Sequence, residues 1–194
     1  VPSPDMAANP GTARVAKLGK DMISLDGNPI PIDNVAYLFE DSGINKINGT
    51  YYYSYCSNFS IPADKFEELG YEQGEIMIMK SDKPMGPFTL VGGILKNPGH
   101  FFVNGGNNHH CMFAFNGELY MAYHARLLEE SMGVLHGYRS TNIDKVNLAA
   151  DGSIEKITGT REGVTQLKNF DPYQKTKAVT MASMAGIETV QYGE

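Results

Sequence analysis

The sequence predicts an all-β protein built from repeated four-strand units, the arrangement found in the blades of a β-propeller. Ile44–Cys56 (INKINGTYYYSYC) and Met112–His124 (MFAFNGELYMAYH) each contain an Asn-Gly pair between strand-forming runs, the strongest short signal for a β-hairpin. A second strand pair follows each hairpin, beginning with GEIMIMKS at Gly74–Ser81 and GVLHGYRS at Gly133–Ser140. Units of about 60 residues that recur along a chain are typical of propeller blades. Two similar hairpins in a β-sandwich are the alternative.

The composition is that of a globular chain without a nucleic-acid or membrane partner. The 194 residues are 42% hydrophobic and 20% charged, with a net charge of −6. An acidic surface repels nucleic acid and anionic membranes, and no apolar run approaches the roughly 20 residues that a membrane helix needs. The N-terminus has no signal-peptide pattern. Cys56 and Cys111 are too few for a disulfide framework and are expected to be small, buried thiols.

Residues 1–34 are expected to form the end of an incomplete blade. Arg14–Leu18 and Ile30–Ile32 are short strand-like runs, and Asp26–Pro29 between them has the composition of a turn. The two runs are interpreted as the closing strands of a unit whose beginning is absent.

The first complete unit covers residues 35–90. After its hairpin, Asp64–Leu69 is expected to form one or two helical turns, and Ile76–Met79 a fully buried strand. Ser81–Phe88 contains two prolines and is expected to form a tight turn before the last strand.

The second unit covers residues 101–157 and has the same organisation. Its internal segment ARLLEESMG, at residues 125–133, is charged and is expected to carry a helical turn. Asp151 and Gly152 are expected to form another hairpin turn.

The C-terminal part of the chain departs from this pattern. Val164–Leu167 is a candidate closing strand, so that residues 35–168 make two propeller blades and this strand. Residues 169–194 are rich in small residues and methionine, and are interpreted as a linker and the start of a further module.

A carboxylate pair, Glu40 and Asp41, opens the first strand of the first unit, at the end away from the hairpin turn. A carboxyl group at the inner start of a propeller strand can project into the axial pocket and act there as a general acid. Asp41 is expected to face elsewhere, because neighbours on a strand point to opposite faces. A solvated glutamate at a strand edge is the competing interpretation of Glu40.

His109 and His110 occupy the place in the second unit that Asp41 and Ser42 occupy in the first, so at least one is expected to point to the same centre. The side chains of adjacent strand residues diverge, so the pair is not expected to bind one metal ion together. One histidine is expected to hold a metal ion or a substrate hydroxyl while the other packs. A hydrogen-bonded core histidine is an equally good interpretation.

Arg139 lies at the end of a predicted buried strand and matches Lys80 of the first unit. A buried arginine needs a carboxylate or a ligand, because a buried charge without a partner is costly. His124 and Arg126, in the sequence YHAR, are expected to form a surface pair at the end of the preceding strand.

These motifs together resemble glycoside hydrolase family 43, in particular its branch of arabinofuranosidases and β-xylosidases acting on xylan side chains. The resemblance covers residues 35–157 and is carried, in order, by FEDSGI, NGTYYYSYC, SDKPMGPF, NNHHCMF, YHAR and GYRSTNID. It implies a five-bladed β-propeller, of which about three blades are present. It also implies an inverting, exo-acting hydrolase of xylan- or arabinan-type plant polysaccharide, secreted or periplasmic.

The resemblance also implies roles for the candidate residues. Glu40 matches the general acid of the family, and Arg139 matches the arginine that contacts the sugar in the deepest subsite. His109, with His110 as the second choice, matches the histidine that faces a calcium ion in the propeller pore, largely through water.

The chain departs from the family pattern at both ends. The family's catalytic base and a second aspartate lie upstream of any residue matched here, and neither Asp5 nor Asp33 lies in the expected motif. Residues 169–194 resemble the opening of a family 6 carbohydrate-binding module. The chain is therefore interpreted as a section of a larger modular enzyme that lacks the base. An open wedge of blades exposes apolar faces, so association with itself or with the missing blades is expected. A non-catalytic carbohydrate-binding or scaffold propeller is the alternative.

Overall fold

The computed structural model describes residues 4–106, 108–165 and 173. The chain divides into two units, residues 1–164 and residues 165–194. The first contains all the strands given below, and Thr165 and Tyr173 are the described residues of the second. The predicted linker and carbohydrate-binding segment therefore lie almost entirely outside the described residues. No helix in the described part of the chain has the length and apolar character to cross a membrane.

The first unit is mainly β-structure. Its strands are β1 Arg14–Val15, β2 Ile30–Pro31, β3 Leu38–Ile47, β4 Thr50–Ser57, β5 Ile76–Ser81, β6 Thr89–Leu95, β7 His110–Phe115, β8 Glu118–Ala125 and β9 Ser140–Val146. Its helices are α1 Pro4–Ala8, α2 Phe66–Leu69 and α3 Leu127–Met132, with 3₁₀ turns at Ala63–Lys65 and Pro98–His100. The strands form three antiparallel sheets, β1-β2, β3-β4-β5-β6 and β7-β8-β9. We call the second and third sheets the first and second blades.

Both predicted hairpins are confirmed. Asn48 and Gly49 have φ angles of 48° and 91°, and Asn116 and Gly117 have φ angles of 50° and 81°. Two successive positive φ angles define the type I′ turn, whose twist matches that of the strands it joins. The two helical segments predicted between strands are also present, as α2 and α3.

The first blade is buried on both faces. Side chains alternate along β4 and β5, so each strand contributes to two hydrophobic clusters. One cluster, shared with the second blade, includes Tyr52, Cys56, Ile76 and Ile78. The other, shared with the N-terminal residues, includes Tyr53, Tyr55, Met77 and Met79. A sheet packed on each side by further layers is the arrangement expected of a propeller blade.

The third strand of the second blade does not lie where the sequence placed it. Gly133–Arg139 is a loop, and β9 begins only after it. The registers place Lys145, not Arg139, at the position of Lys80, so the predicted match was wrong. Gly137 has a φ of 77°, a conformation that interrupts an extended strand.

The ends of the first unit contain less regular structure than predicted. β1 and β2 are two residues each, and Leu18 and Leu25 form an isolated bridge between them. Val164 and Thr165 are not in a strand, and the rest of the predicted closing strand lies outside the described residues. Cys111 is exposed, so its expected burial was wrong.

A buried carboxylate fastens β9 to the segment that follows the second blade. Asp144 accepts hydrogen bonds from the Tyr123 hydroxyl at 2.7 Å and from the Thr160 backbone N–H and hydroxyl at 3.2 and 2.5 Å. Burial raises the pKa of Tyr123, so its hydroxyl remains a donor. We expect Asp144→Asn to lower the free energy of unfolding by about 1–2 kcal/mol, because one acceptor oxygen is lost. Urea denaturation checks this, with Asp26→Asn, an exposed partner of Lys17, as the near-neutral control. Equal losses in the two variants would contradict it.

Candidate functional site

Two β-bulges bracket Glu40 in β3. The register places Leu38 opposite Ser57 and Gly43 opposite Ser54, so over this stretch β3 contains two more residues than β4. Asp41, inside the second bulge, has a φ of 62°, in the left-handed region that aspartate tolerates better than most residues. Bulges re-aim side chains and are enriched beside active sites.

The bulges direct the two carboxylates to the two histidines of the second blade. Glu40 Oε1 lies 2.9 Å from His109 Nε2. Asp41 Oδ2 lies 2.5 Å from His110 Nδ1 and accepts the His110 backbone N–H at 2.6 Å. Adjacent acids thus face adjacent histidines across the junction between the blades. Glu40 and Asp41 contact different groups, as strand alternation suggested.

His110 is a packed residue. Its side chain is 1% exposed, and both ring nitrogens are occupied, Nδ1 by Asp41 and Nε2 by the Ser54 hydroxyl at 2.8 Å. Burial alone would raise the pKa of Asp41, but the hydrogen bonds and charge of His110 outweigh it and lower that pKa. His110 therefore has no ring nitrogen left for a metal ion, and its assignment as a second metal ligand was wrong.

His109 is the more open histidine. Its side chain is 42% exposed, and its ring centroid lies 5.3 Å from that of His124 on β8. Within the described residues, no group of three or more His, Cys, Asp or Glu side chains could hold a metal ion. A calcium ion that faces His109 largely through water needs no such group, so this ion stays a prediction.

A cavity of about 200 Å³ begins at His124. The residues that line it include Asn104, Gly105, His124, Arg126, Gly137 and Arg139. Burial lowers the pKa of His124, and the nearby positive charge of Arg139 lowers it further, so this imidazole is neutral at pH 7. The predicted surface pair of His124 and Arg126 was wrong, because both side chains are half-buried in the cavity wall.

Arg139 is exposed and lies directly before β9. Its predicted burial was therefore wrong, and solvent can hydrate the guanidinium. Its position in the cavity wall, near His124, nevertheless brings it to the site that begins at Glu40 and His109. The structure thus places Glu40 against His109 and puts Arg139 in the wall of the cavity that begins at His124, whereas His110 packs in the interior.

Glu129 and Glu130 on α3 were missed by the sequence reasoning, although the helix itself was expected. Both side chains fold back onto the loops that form the cavity walls. The sequence signal was only an acid pair in a charged segment, which does not distinguish a solvated helix face from a buried one.

The chain is similar to known enzymes over nearly its whole length. No protein-family model matches it. It is 50% identical over 187 residues to an arabinoxylan arabinofuranohydrolase of Paenibacillus polymyxa, covering 96% of this chain and 29% of that protein. The chain therefore spans less than a third of the length of this relative.

Two solved structures extend the similarity to the fold. One is a glycoside hydrolase family 43 arabinoxylan arabinofuranohydrolase from Bacillus subtilis in complex with cellotetraose. Its TM-score is 0.79 at 50% identity, over 90% of this chain and 35% of that chain. The other is a family 43 β-xylosidase/α-arabinofuranosidase from a compost metagenome, in a calcium-free complex with xylotriose. Its TM-score is 0.57 at 29% identity, over 74% of this chain and 41% of that chain. The prediction of a propeller section is confirmed.

Proposed function

Since this chain belongs to glycoside hydrolase family 43 and covers a section of its five-bladed propeller, we propose that the protein containing it hydrolyses arabinoxylan-type plant polysaccharide. It would release α-L-arabinofuranosyl or β-D-xylosyl units from chain ends or side chains. One observation carries the proposal: Glu40, between two bulges, faces His109 beside a cavity lined by Arg126 and Arg139. The relatives' names supply the substrate class.

Glu40 is the proposed general acid. Its side chain is 32% exposed, so the carboxyl group is open to a ligand while its contact with His109 limits its orientation. Protonation of the leaving glycosidic oxygen by a positioned carboxyl group accelerates such reactions by about 10²–10⁴-fold. The nearby cavity supplies guanidinium N–H donors suited to sugar hydroxyl groups.

The proposed inverting mechanism needs a second carboxylate, about 6.5–9.5 Å from the acid, to activate water. Asp41 is unsuited to this role, because His110 engages it through both the ring and the backbone N–H. As the resemblance to the family implies, we propose that the base is a carboxylate on blades that precede the matched section. Assembly with those blades is part of this proposal.

Two further features belong to the proposal, a calcium ion near His109 and a location outside the cell or in the periplasm. One relative was crystallised in a calcium-free form, which implies that a calcium-bound form of that protein exists. Of the two histidines predicted to face such an ion, His109 has the more exposed side chain. Secretion or export to the periplasm follows from the substrate, since a cell-wall polysaccharide is too large to enter the cell.

The proposal is tested by incubating the complete protein with arabinoxylan and with the 4-nitrophenyl glycosides of α-L-arabinofuranose and β-D-xylose. We expect release of free pentose, with an anomeric configuration, followed by NMR, opposite to that of the substrate. Release with retained configuration would contradict the mechanism. Binding of arabinoxylan oligosaccharides without release would contradict hydrolysis and favour a carbohydrate-binding propeller.

A further inference from the structure

We propose that Glu129 is a positioning residue that holds the loop carrying Arg139, and that α3 connects two segments of the cavity lining through hydrogen bonds. The inference rests on the proposed function, because it assigns Arg139 to the binding of the sugar. It concerns a residue that acts on the ligand through another side chain.

The Glu129 carboxylate is 0% exposed, and one of its two oxygens accepts hydrogen bonds from a single loop. Its Oε2 accepts the backbone N–H groups of His136 at 2.8 Å, of Gly137, and of Tyr138 at 3.1 Å. These are the three residues immediately before Arg139. Three donors on one oxygen fix the path of the backbone, and therefore the point from which the arginine side chain extends.

The second oxygen of Glu129 contacts another residue of the cavity wall. Oε1 lies 2.5 Å from a terminal nitrogen of Arg126, three residues earlier in the chain. Burial alone would raise the pKa of Glu129, but the loop N–H groups and Arg126 outweigh it and lower that pKa. The carboxylate is therefore charged at neutral pH, the form that accepts all these hydrogen bonds.

Glu130 holds a second segment of the cavity lining. Its side chain is 10% exposed, and Oε1 accepts the backbone N–H groups of Val103 at 2.7 Å and Asn104 at 3.3 Å. Its Oε2 lies 2.6 Å from Arg161. Adjacent glutamates of one short helix thus fasten two segments that line the same cavity.

The first blade shows that this arrangement is not required by the fold. Its helix α2 lies in the same place, between the second and third strands of the blade, and contains the adjacent acids Glu67 and Glu68. No residue of α2 is buried, and Glu68 forms an exposed pair with Lys65. Burying two neighbouring carboxylates is costly unless hydrogen bonds compensate. In α3 the compensating donors include backbone N–H groups of both these segments.

The test is a double-mutant cycle in the complete protein, with Glu129→Gln, Arg139→Ala and the double variant. Binding of arabinoxylan oligosaccharides is measured by calorimetry, and KM and kcat are measured with the same substrates. We expect Glu129→Gln to raise Kd and KM about tenfold with kcat changed less than about threefold, as for a loss of uniform binding. In the Arg139→Ala background the same change should have almost no effect, because coupled residues are not additive.

Glu68→Gln is the matched control and should leave both constants unchanged, since that acid occupies the corresponding helix but pairs with Lys65 at the surface. Additive effects of the Glu129 and Arg139 changes would overturn the proposal. A protein that binds oligosaccharides but does not turn them over would contradict the proposed function, while the binding cycle would still test the role of Glu129.

A second measurement requires no variant. We expect slow amide hydrogen exchange at His136, Gly137 and Tyr138 in the wild-type protein at neutral pH, because all three amides donate to Glu129, although these residues lie in an exposed loop. Rapid exchange at all three amides would overturn the proposal even if Glu129→Gln failed to fold.

Discussion

Replacing Glu40 with glutamine is expected to lower the turnover of arabinoxylan by about 10²–10⁴-fold, the contribution of a positioned general acid. Glutamine has the size of glutamate but cannot donate a proton to the leaving oxygen. The turnover of a 4-nitrophenyl glycoside by the same variant should fall much less, because nitrophenolate leaves without protonation. The measurement is kcat/KM of the complete protein on both substrates.

The comparison between leaving groups makes this test specific. Loss of a catalytic base would slow both substrates to the same extent, because water activation does not depend on the leaving group. Equal losses in the Glu40→Gln variant would therefore contradict the assignment of Glu40 as the acid. Glu118→Gln, which changes an exposed partner of Lys145 on β8, is the control and should leave both rates unchanged.

Replacing Asp41 with alanine is expected to lower the free energy of unfolding by about 3 kcal/mol. The change leaves the buried ring and the backbone N–H of His110 without their common acceptor, and unsatisfied buried donors cost about 1–3 kcal/mol each. Asp41→Asn keeps one acceptor oxygen and should lose about half as much. Urea denaturation measures both, and an unchanged Asp41→Ala variant would contradict the role of this contact.

The stabilising effect of Asp41 also has a defined pH dependence. The pKa of Asp41 in the folded protein lies below its usual value, so the unfolded chain binds the proton more readily than the folded one. The contribution is therefore present at neutral pH and is lost as the pH falls through the lowered pKa of the folded state. The difference in stability between wild type and Asp41→Ala should shrink accordingly in acid.

Much of the blade architecture could be predicted because its signals are local. Asn48-Gly49 and Asn116-Gly117 each define a turn, and the strand-forming residues on either side of them predict the paired strands. The start of β9 could not be predicted, because the apolar residues of the preceding loop form a pattern that is typical of a strand. A strand is prevented there by the positive φ of Gly137 and by its hydrogen bond to the buried carboxylate of Glu129. That hydrogen bond joins two separate segments, so no local sequence pattern predicts it.

In the candidate site, too, the residues with a local sequence signal could be predicted and the residue that depends on contacts between segments could not. Glu40 and His109 were found because they occupy related places in the two repeats, and the structure places them in contact. Glu129 was not found, because its sequence context, an acid pair in a short helix, is shared with the exposed Glu68. Only the packing of the loops separates the two cases.

The paired bulges around Glu40 also bear on how this strand tolerates changes in length. Each bulge inserts one residue, and together they restore the alternation of side chains, so Leu38 still packs on the cluster shared with the N-terminal residues while Phe39 remains exposed. A deletion that removed one bulge would exchange the faces of every residue before it. Loss of both would keep the faces but straighten the strand at the acid. The length of the segment from Leu38 to Gly43 therefore sets the direction of the Glu40 side chain as directly as the identity of its neighbours does.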